Sequence, residues 1–294
     1  MQACRHAHCL VRHALCLLWI ITSCAVVTRD HRIVRTSDGQ TLSMQEQALA
    51  LSEADVVFLG EEHDATVAHR LQLELSERLM QMHGIITISM EMFERDSQNM
   101  LDLYLAGSID EETFLDLVRA WPNYPEDYAP AIELAKANGL PVLAANCYRP
   151  IAARAARSGL SAAIGSPWAA LQVDASPGPY RERFFVAMRA AGVHQQDVSM
   201  EALERIYASQ CLKDDTMAES IARYFDEHGP DAPPVVHWCG RFHSDFGQGT
   251  VERLRRRRPD LKIAIVSASK DAGLGRNRPL TDNGRADYLW FVRP

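Results

Sequence analysis

Residues 55–64 read DVVFLGEEHD, a short apolar run that ends in a glycine, two glutamates and a histidine. Five later runs share its character, because each is mostly apolar, β-branched or aromatic and lacks polar alternation. Such runs are typical of strands that are buried on both faces of a parallel sheet. The predicted strands are Val56–Leu59, Ile85–Ile88, Val142–Ala145, Val235–Trp238, Lys262–Val266 and Tyr288–Val292.

Segments with the apolar spacing of helices lie between these runs. They cover roughly residues 65–82, 97–106, 110–119, 127–138, 149–157, 180–191, 198–228 and 249–257. Strands that alternate with helices predict a three-layer α/β fold with a mainly parallel β-sheet. The hydrophobic fraction of 47% and the charged fraction of 23% are those of a globular chain. We expect residues 25–294 to form a single α/β domain.

The charge balance and the missing signatures exclude several function classes. The chain has 31 Lys and Arg against 38 Asp and Glu, a formal net charge of −7. Nucleic-acid binders normally present a basic face, so we expect no nucleic-acid partner. The sequence also lacks a P-loop, an HExxH helix, a Gly-x-Ser-x-Gly turn and paired CxxC motifs, which excludes the enzyme classes that those motifs mark.

The N-terminal segment has the features of an export signal. Arg5 and Arg12 precede the apolar run 14–21, which is shorter than the roughly 18–20 residues that span a bilayer. The run ends in Ile21-Thr22-Ser23-Cys24, which resembles the lipobox of bacterial lipoproteins. This predicts a signal peptide over residues 1–23, lipidation of Cys24 and a lipid anchor in the bacterial cell envelope, facing the periplasm or in the outer membrane. The alternative is an ordinary secretory signal with a chance cysteine.

Polar side chains follow four of the predicted strands. Open parallel sheets bind ligands beyond the carboxyl ends of their strands, which meet at one edge. The side chains that we therefore expect to converge are Glu61, His63, Glu91, Asn146 and His243. Glu91 interrupts the apolar stretch 90–93, where an unpaired carboxylate is costly. It must be paired, hydrogen-bonded or metal-bound, and a purely structural role is as compatible with the sequence as a functional one.

A second isolated carboxylate lies on the predicted helix 198–228. Asp214 falls in the middle of an apolar stripe whose members recur at helical spacing. It therefore needs a partner, either in a structural ion pair or as a carboxylate that orients a histidine at a strand end. Asn146 and Asp214 are predicted to orient the side chains of the polar cluster without contacting the ligand.

These segments together resemble the ChaN-like haem-binding family, within the superfamily that also contains Tiki proteases and erythromycin esterases. Gly60–His63 resembles the family's opening Gly-Glu-x-His, and Gly240–His243 resembles the Gly-x-x-His of the superfamily. Asp214–Ala218 resembles its helix motif Asp-x-x-Met-Ala. The other matching segments are residues 89–95, 101–107, 121–128 and 140–146. The resemblance extends from about Asp55 to Asp287.

The resemblance implies an α/β fold of the EreA/ChaN-like type and haem binding in iron uptake, in a homodimer that stacks two haems. It suggests a tyrosine ligand to the haem iron, as in catalase, with Tyr124, Tyr128 and Tyr148 as candidates. Arg149 is a candidate for binding the haem propionates. The aromatic loop 121–128 either lines a flat ligand or is a rigid connector.

Glu61, His63, Glu91 and His243 match the family's motifs, and this cluster is also compatible with catalysis. In that alternative one histidine acts as a general base, while a glutamate orients it or binds a metal. The same four side chains could hold Zn²⁺ or Mn²⁺ with an open position for water. Because superfamily relatives hydrolyse esters or peptides, the alternative function is a Glu/His-based hydrolase, with or without a metal. The family resemblance favours haem, and the number of acidic groups favours the enzyme.

Overall fold

The computed structural model describes residues 29–163, 165–192, 198–276 and 284–294. The predicted signal peptide and Cys24 lie outside these residues. The strands within them are β1 (His31–Arg35), β2 (Thr41–Leu42), β3 (Val56–Glu61), β4 (Thr87–Glu94), β5 (Val142–Asn146), β6 (Val235–Gly240), β7 (Ile263–Lys270) and β8 (Tyr288–Val292).

The strands form one sheet in the order β2-β1-β8-β7-β3-β6-β4-β5. β1 pairs antiparallel with β2 and β8, whereas the other neighbours pair parallel. The four central strands are almost entirely buried, because helices cover them on both sides. The predicted α/β fold with a mainly parallel sheet is confirmed.

The helices lie on both faces of the sheet. They are α1 (Met44–Leu51), α2 (Thr66–His83), α3 (Gln98–Leu105), α4 (Glu111–Leu117), α5 (Ala129–Asn138), α6 (Arg149–Ser158), α7 (Pro179–Ala190), α8 (Met200–His228) and α9 (Thr250–Arg257). Helices α1 to α5 share one core with the sheet, and α8 and α9 form a second core on the opposite face. α6 and α7 pack against α8. No helix in the described ranges is long and apolar enough to cross a membrane.

The structure corrects the predicted strand near Glu91. The strand begins at Thr87 rather than Ile85 and continues to Glu94, so Glu91 lies inside β4 and not after it. The pairing of β4 with β5 shifts between Met90 and Glu94, which marks an irregularity of the kind that re-aims side chains near ligand sites. β1, β2 and α1 were not predicted, since β1 mixes charged with apolar residues and β2 has only two residues.

A side-chain amide covers the β5 edge of the sheet. The Gln98 Nε2 donates to the Val142 carbonyl at 2.8 Å, and the Ala144 N–H donates to Gln98 Oε1 at 2.7 Å. One amide thus satisfies two backbone groups that a further strand would otherwise pair. Unpaired edges are sites of aggregation, and this cap removes part of that risk.

Candidate functional site

A cavity of about 750 Å³ lies at the carboxyl ends of β3, β4, β5 and β6. Its polar wall includes side chains near the ends of these strands or just after them, namely His63, Glu91, Glu94, Asn146 and His243. Its other wall comes from α7 and from the segment after β6, with Phe184, Met188 and Phe242. The cavity is therefore polar on one side and apolar on the other.

Glu61 is a buried carboxylate that orients His63. Its Oε1 accepts hydrogen bonds from His63 Nδ1 at 2.9 Å and from the Tyr128 hydroxyl at 2.7 Å. Its Oε2 lies 2.5 Å from His69 Nδ1, as an ion pair rather than an aligned hydrogen bond. Burial raises the pKa of Glu61, but His63 and His69 outweigh that effect and hold the pKa below its usual value. Glu61 is thus ionised and fixed by three neighbours.

The His63 imidazole faces the cavity. Its side chain is 48% exposed, and its ring stands edge-on to Trp121 with centroids 4.8 Å apart. Because the Glu61 carboxylate can only accept, Nδ1 is the donor, and Nε2 has no hydrogen-bond partner among the described residues. Burial lowers the pKa of His63, but the hydrogen bond to Glu61 and the charge of Glu91 raise it above its usual value.

Glu91 and Asp214 hold the His243 imidazole between them. Glu91 Oε1 lies 3.2 Å from His243 Nε2, and Asp214 Oδ1 lies 2.7 Å from His243 Nδ1. Burial lowers the pKa of His243, but the two carboxylates outweigh it and raise the pKa to about 10. His243 is therefore an imidazolium at neutral pH, with both nitrogens donating. In that state it cannot act as a general base.

The backbone around this cluster is adapted to it. Glu91 Oε2 accepts from the Gly240 N–H at 2.7 Å. A Cβ at Gly240 would lie 2.7 Å from Cε1 and 2.9 Å from Nε2 of His63. Only glycine at this position therefore avoids a clash with the His63 ring. Gly249 has a φ of +59°, and a Cβ there would lie 2.6 Å from the His243 carbonyl oxygen. Both glycines permit close packing around the imidazoles.

Asp214 combines the two roles that the sequence left open. It is fully buried on α8 and forms the ion pair with His243. It also accepts from the Tyr180 hydroxyl at 2.5 Å and from the Thr250 hydroxyl at 2.9 Å. The ion pair is structural, and it also orients a histidine in the cavity wall.

Asn146 connects the end of β5 to β4. Its Nδ2 donates to the Glu91 carbonyl at 3.0 Å, and its Oδ1 accepts from the Cys147 N–H at 2.8 Å. Asn146 therefore positions the backbone of Glu91 rather than the carboxylate. Asn146 also lines the cavity beside the cluster.

The candidate tyrosines are not in the cavity wall. Tyr124 and Tyr128 are 2% and 0% exposed, and the Tyr128 hydroxyl is bonded to Glu61. Tyr148 is half-buried, and the Arg119 guanidinium covers its ring at 4.7 Å from the centroid. Arg149 does line the cavity, with its side chain 58% exposed. Of the four residues assigned to haem, the structure places Arg149 alone at the cavity.

The predicted metal site finds no support in the structure. Glu61, His63, Glu91 and His243 lie close together, but each carboxylate is already engaged by donors and His243 donates from both nitrogens. Across the described residues, no group of three or more His, Cys, Asp or Glu side chains is arranged to hold a metal ion. The pairing of acids with imidazoles explains why the donors do not form a coordination shell.

Several site residues were not identified from the sequence. His69 forms an ion pair with Glu61. Its position on the apolar face of α2, six residues after His63, could have marked it as a buried partner of the cluster. Lys213, next to Asp214, gives the cavity a second cation beside Arg149. The apolar wall contributed by α7 had no local signal, because it depends on how α7 packs over the sheet.

Cys147, Cys211 and Cys239 are buried free thiols. Burial raises the pKa of Cys147 to about 11 and that of Cys211 to about 12. Burial also raises the pKa of Cys239 well above its usual value. Cys147 lines the cavity as a neutral thiol.

Comparisons with known proteins give a family and a fold. A family model described as "Haem-binding uptake, Tiki superfamily, ChaN" matches residues 48–254. Among solved structures, the chain resembles one described as "Cofacial heme binding to ChaN of Campylobacter jejuni", with a TM-score of 0.71 and 19% identity over 91% of this chain and 98% of that chain. At that identity the likeness shows the fold alone.

Two further structures are less similar. The type III effector HopBA1 has a TM-score of 0.49 and 12% identity, over 84% of this chain and 91% of that chain. An erythromycin esterase, EreC, has a TM-score of 0.46 and 14% identity, over 90% of this chain and 83% of that chain. No curated protein matches the chain.

Proposed function

This chain belongs to the haem-binding uptake family of the Tiki superfamily that includes ChaN, and from that premise we propose that it binds haem in the cavity at the carboxyl ends of the strands. The observation that carries the proposal is the cavity itself, whose volume of about 750 Å³ lies within the range of small-molecule and cofactor sites. Its apolar and polar walls match a ligand that is flat and amphipathic.

The side chains of the cavity fit the parts of haem. Phe184, Met188 and Phe242 offer apolar and aromatic surface for a porphyrin face, and Trp121 adds a ring at the polar side. Arg149 and Lys213 supply cations besides the enclosed His243. Charge-assisted hydrogen bonds from such groups suit the two propionates.

The test is a titration of the purified protein with hemin, followed by the Soret band. We expect a saturable shift in the wild type and its loss in Phe184→Arg, which places a charged side chain in the apolar wall. Val186→Arg is the matched control, because Val186 lies on the same helix and is 57% exposed. Absence of saturable binding by the wild type, or equal binding by both variants, would contradict the proposal.

We also propose that the protein is a lipid-anchored component of haem and iron uptake in a bacterial envelope. The lipobox-like sequence that ends at Cys24 supports the anchor, and the family description supports uptake. Radiolabelled palmitate should label the wild type and not Cys24→Ala. Deletion of the gene should slow growth on haem as the sole iron source, and an unchanged growth rate would argue against uptake.

A homodimer is the expected assembly for stacked haems. The Campylobacter jejuni structure is described as binding haem cofacially. If this chain does the same, hemin should convert monomers to dimers in sedimentation velocity, with one haem per chain. A hemin complex that stays monomeric would exclude the stacked arrangement.

A hydrolase remains the second candidate, and one observation favours it. His63 is half exposed in the cavity and a buried carboxylate holds its Nδ1, which is how a general base is oriented. Its raised pKa predicts that such activity increases as the pH rises through that pKa. Screening of ester substrates with haem-free wild type and His63→Ala tests this candidate, and equal rates for the two proteins would reject it.

A further inference from the structure

We propose that His63, rather than a tyrosine, supplies the axial ligand to the haem iron in this chain. The inference rests on the proposed haem function and specifies its chemistry. A porphyrin already provides four nitrogen ligands, so one protein side chain is sufficient. The lack of a coordination cluster for a free ion among the described residues is therefore no obstacle.

The tyrosines are poorly placed to reach a ligand. All eight lie in the described part of the chain, and seven of them are at most 8% exposed. The remaining one is Tyr148, which is outside the cavity wall and has the Arg119 guanidinium over its ring. A tyrosine ligand would require either a core residue to leave its packing or Tyr148 to turn into a cavity that it does not line.

His63 is better placed than the tyrosines. It lies in the cavity wall with its side chain 48% exposed, and Trp121 contacts its ring edge-on. Its Nδ1 donates to the buried Glu61 carboxylate at 2.9 Å. In the neutral ring the remaining nitrogen, Nε2, carries the lone pair, and it has no hydrogen-bond partner among the described residues. Histidines that bind metals nearly always donate their other N–H to a carboxylate or carbonyl in this way, which fixes the ring and increases the basicity of the ligand.

The neighbouring imidazoles cannot take this role. His243 donates both nitrogens to Glu91 and Asp214, and its side chain is 7% exposed. The His69 side chain is 2% exposed and lies against Glu61, and His237 is fully buried. Among the described histidines, His63 is the one that lines the cavity and has a ring nitrogen without a hydrogen-bond partner.

The experiment compares hemin-loaded full-length proteins by resonance Raman spectroscopy after reduction with dithionite. An iron–histidine stretching band is expected in the wild type, and a phenolate ligand does not produce this band. The band should persist in Tyr148→Phe and disappear in His63→Gly, with a hemin Kd raised about tenfold or more. Added imidazole should restore the band in His63→Gly by occupying the vacated space. Glu61→Gln should lower the band's frequency, because an amide is a weaker acceptor than a carboxylate.

The controls separate the two claims. His83→Ala changes an exposed histidine at the end of α2 and should leave the spectrum unchanged. If the wild type does not bind hemin at all, the proposed function fails and this inference fails with it. If the wild type binds hemin but lacks the band, or if the band persists in His63→Gly, the inference is overturned while haem binding stands. Rescue by imidazole distinguishes loss of the ligand from misfolding.

Discussion

Replacing His243 by alanine should reveal how strongly the cluster of Glu91, His243 and Asp214 stabilises the fold. The substitution leaves two buried carboxylates without their shared cation, and removal of one partner from a buried pair typically costs about 3–5 kcal/mol. The pKa of His243 rises from 6.5 to about 10 in the folded protein, and His243 is 5% exposed. At 1.36 kcal/mol for each pH unit, that rise corresponds to about 5 kcal/mol. The typical cost of breaking a buried ion pair and the value converted from the pKa rise therefore predict a similar loss in the free energy of unfolding.

The pH dependence has a definite sign. A group whose pKa is raised by folding stabilises the protein fully below its unfolded value, near pH 6.5, and this contribution is lost as the pH rises through about 10. The pKa values of Glu91 and Asp214 are lowered on folding, because the charge of His243 outweighs their burial, so their contribution is lost only in acid. The full contribution of the cluster is therefore expected between about pH 5 and 6.5.

Urea unfolding at pH 6 and pH 9 measures this contribution. The difference in the free energy of unfolding between wild type and His243→Ala should be about 3–5 kcal/mol at pH 6 and should shrink by about 3 kcal/mol at pH 9. His83→Ala, at an exposed position, should follow the wild type at both pH values. A difference that is small at pH 6, or that does not change between the two pH values, would refute the assignment of a buried imidazolium.

Three other changes test separate parts of the structure. Tyr180→Phe removes the hydroxyl that donates to Asp214 and should cost about 1–3 kcal/mol in urea unfolding, without changing the hemin spectrum. Gly240 has a backbone conformation that alanine also adopts (φ −59°, ψ 134°), but the Cβ of Gly240→Ala would displace the His63 ring. Hemin affinity should therefore fall, while a thermal melt should show a folded protein. Unchanged hemin affinity would show that the His63 ring is free to move. Gln98→Ala uncovers two backbone groups of β5 and should increase light scattering on storage, with Gln45→Ala as an exposed control that should not.

Most of the sheet was predictable because its strands are buried on both faces. Burial on both faces favours apolar side chains at most positions, and such runs are recognisable without their neighbours. β4 was predicted too short because Glu91 and Glu94 interrupt its apolar pattern. They remain in the strand because distant donors satisfy them, including the Gly240 N–H and Arg119. β1 reads HRIVR, and its mixture of charged and apolar residues conceals an antiparallel strand.

The polar cluster was predictable to the level of residues, but its pairing was not. Topology brings the ends of parallel strands together, so Glu61, His63, Glu91 and His243 were expected at one edge. Which carboxylate pairs with which imidazole depends on ångström-scale register between β4 and β6 and on the crossing of α8. The accessibility of tyrosines is likewise a property of packing. Residue type alone therefore selected Tyr124 and Tyr128, which are in the core.

The thiol of Cys147 in the cavity wall has a consequence for the proposed haem site. Sulfur binds and reacts with metals as the thiolate, and a pKa of about 11 keeps almost no thiolate at neutral pH. The Cys147 sulfur is therefore not available as a soft anionic ligand that would compete for the haem iron, and it is protected from oxidation beside the iron. Since Cys147, Cys211 and Cys239 are all unpaired, no disulfide holds the described part of the chain together, and a reducing environment removes none of its cross-links.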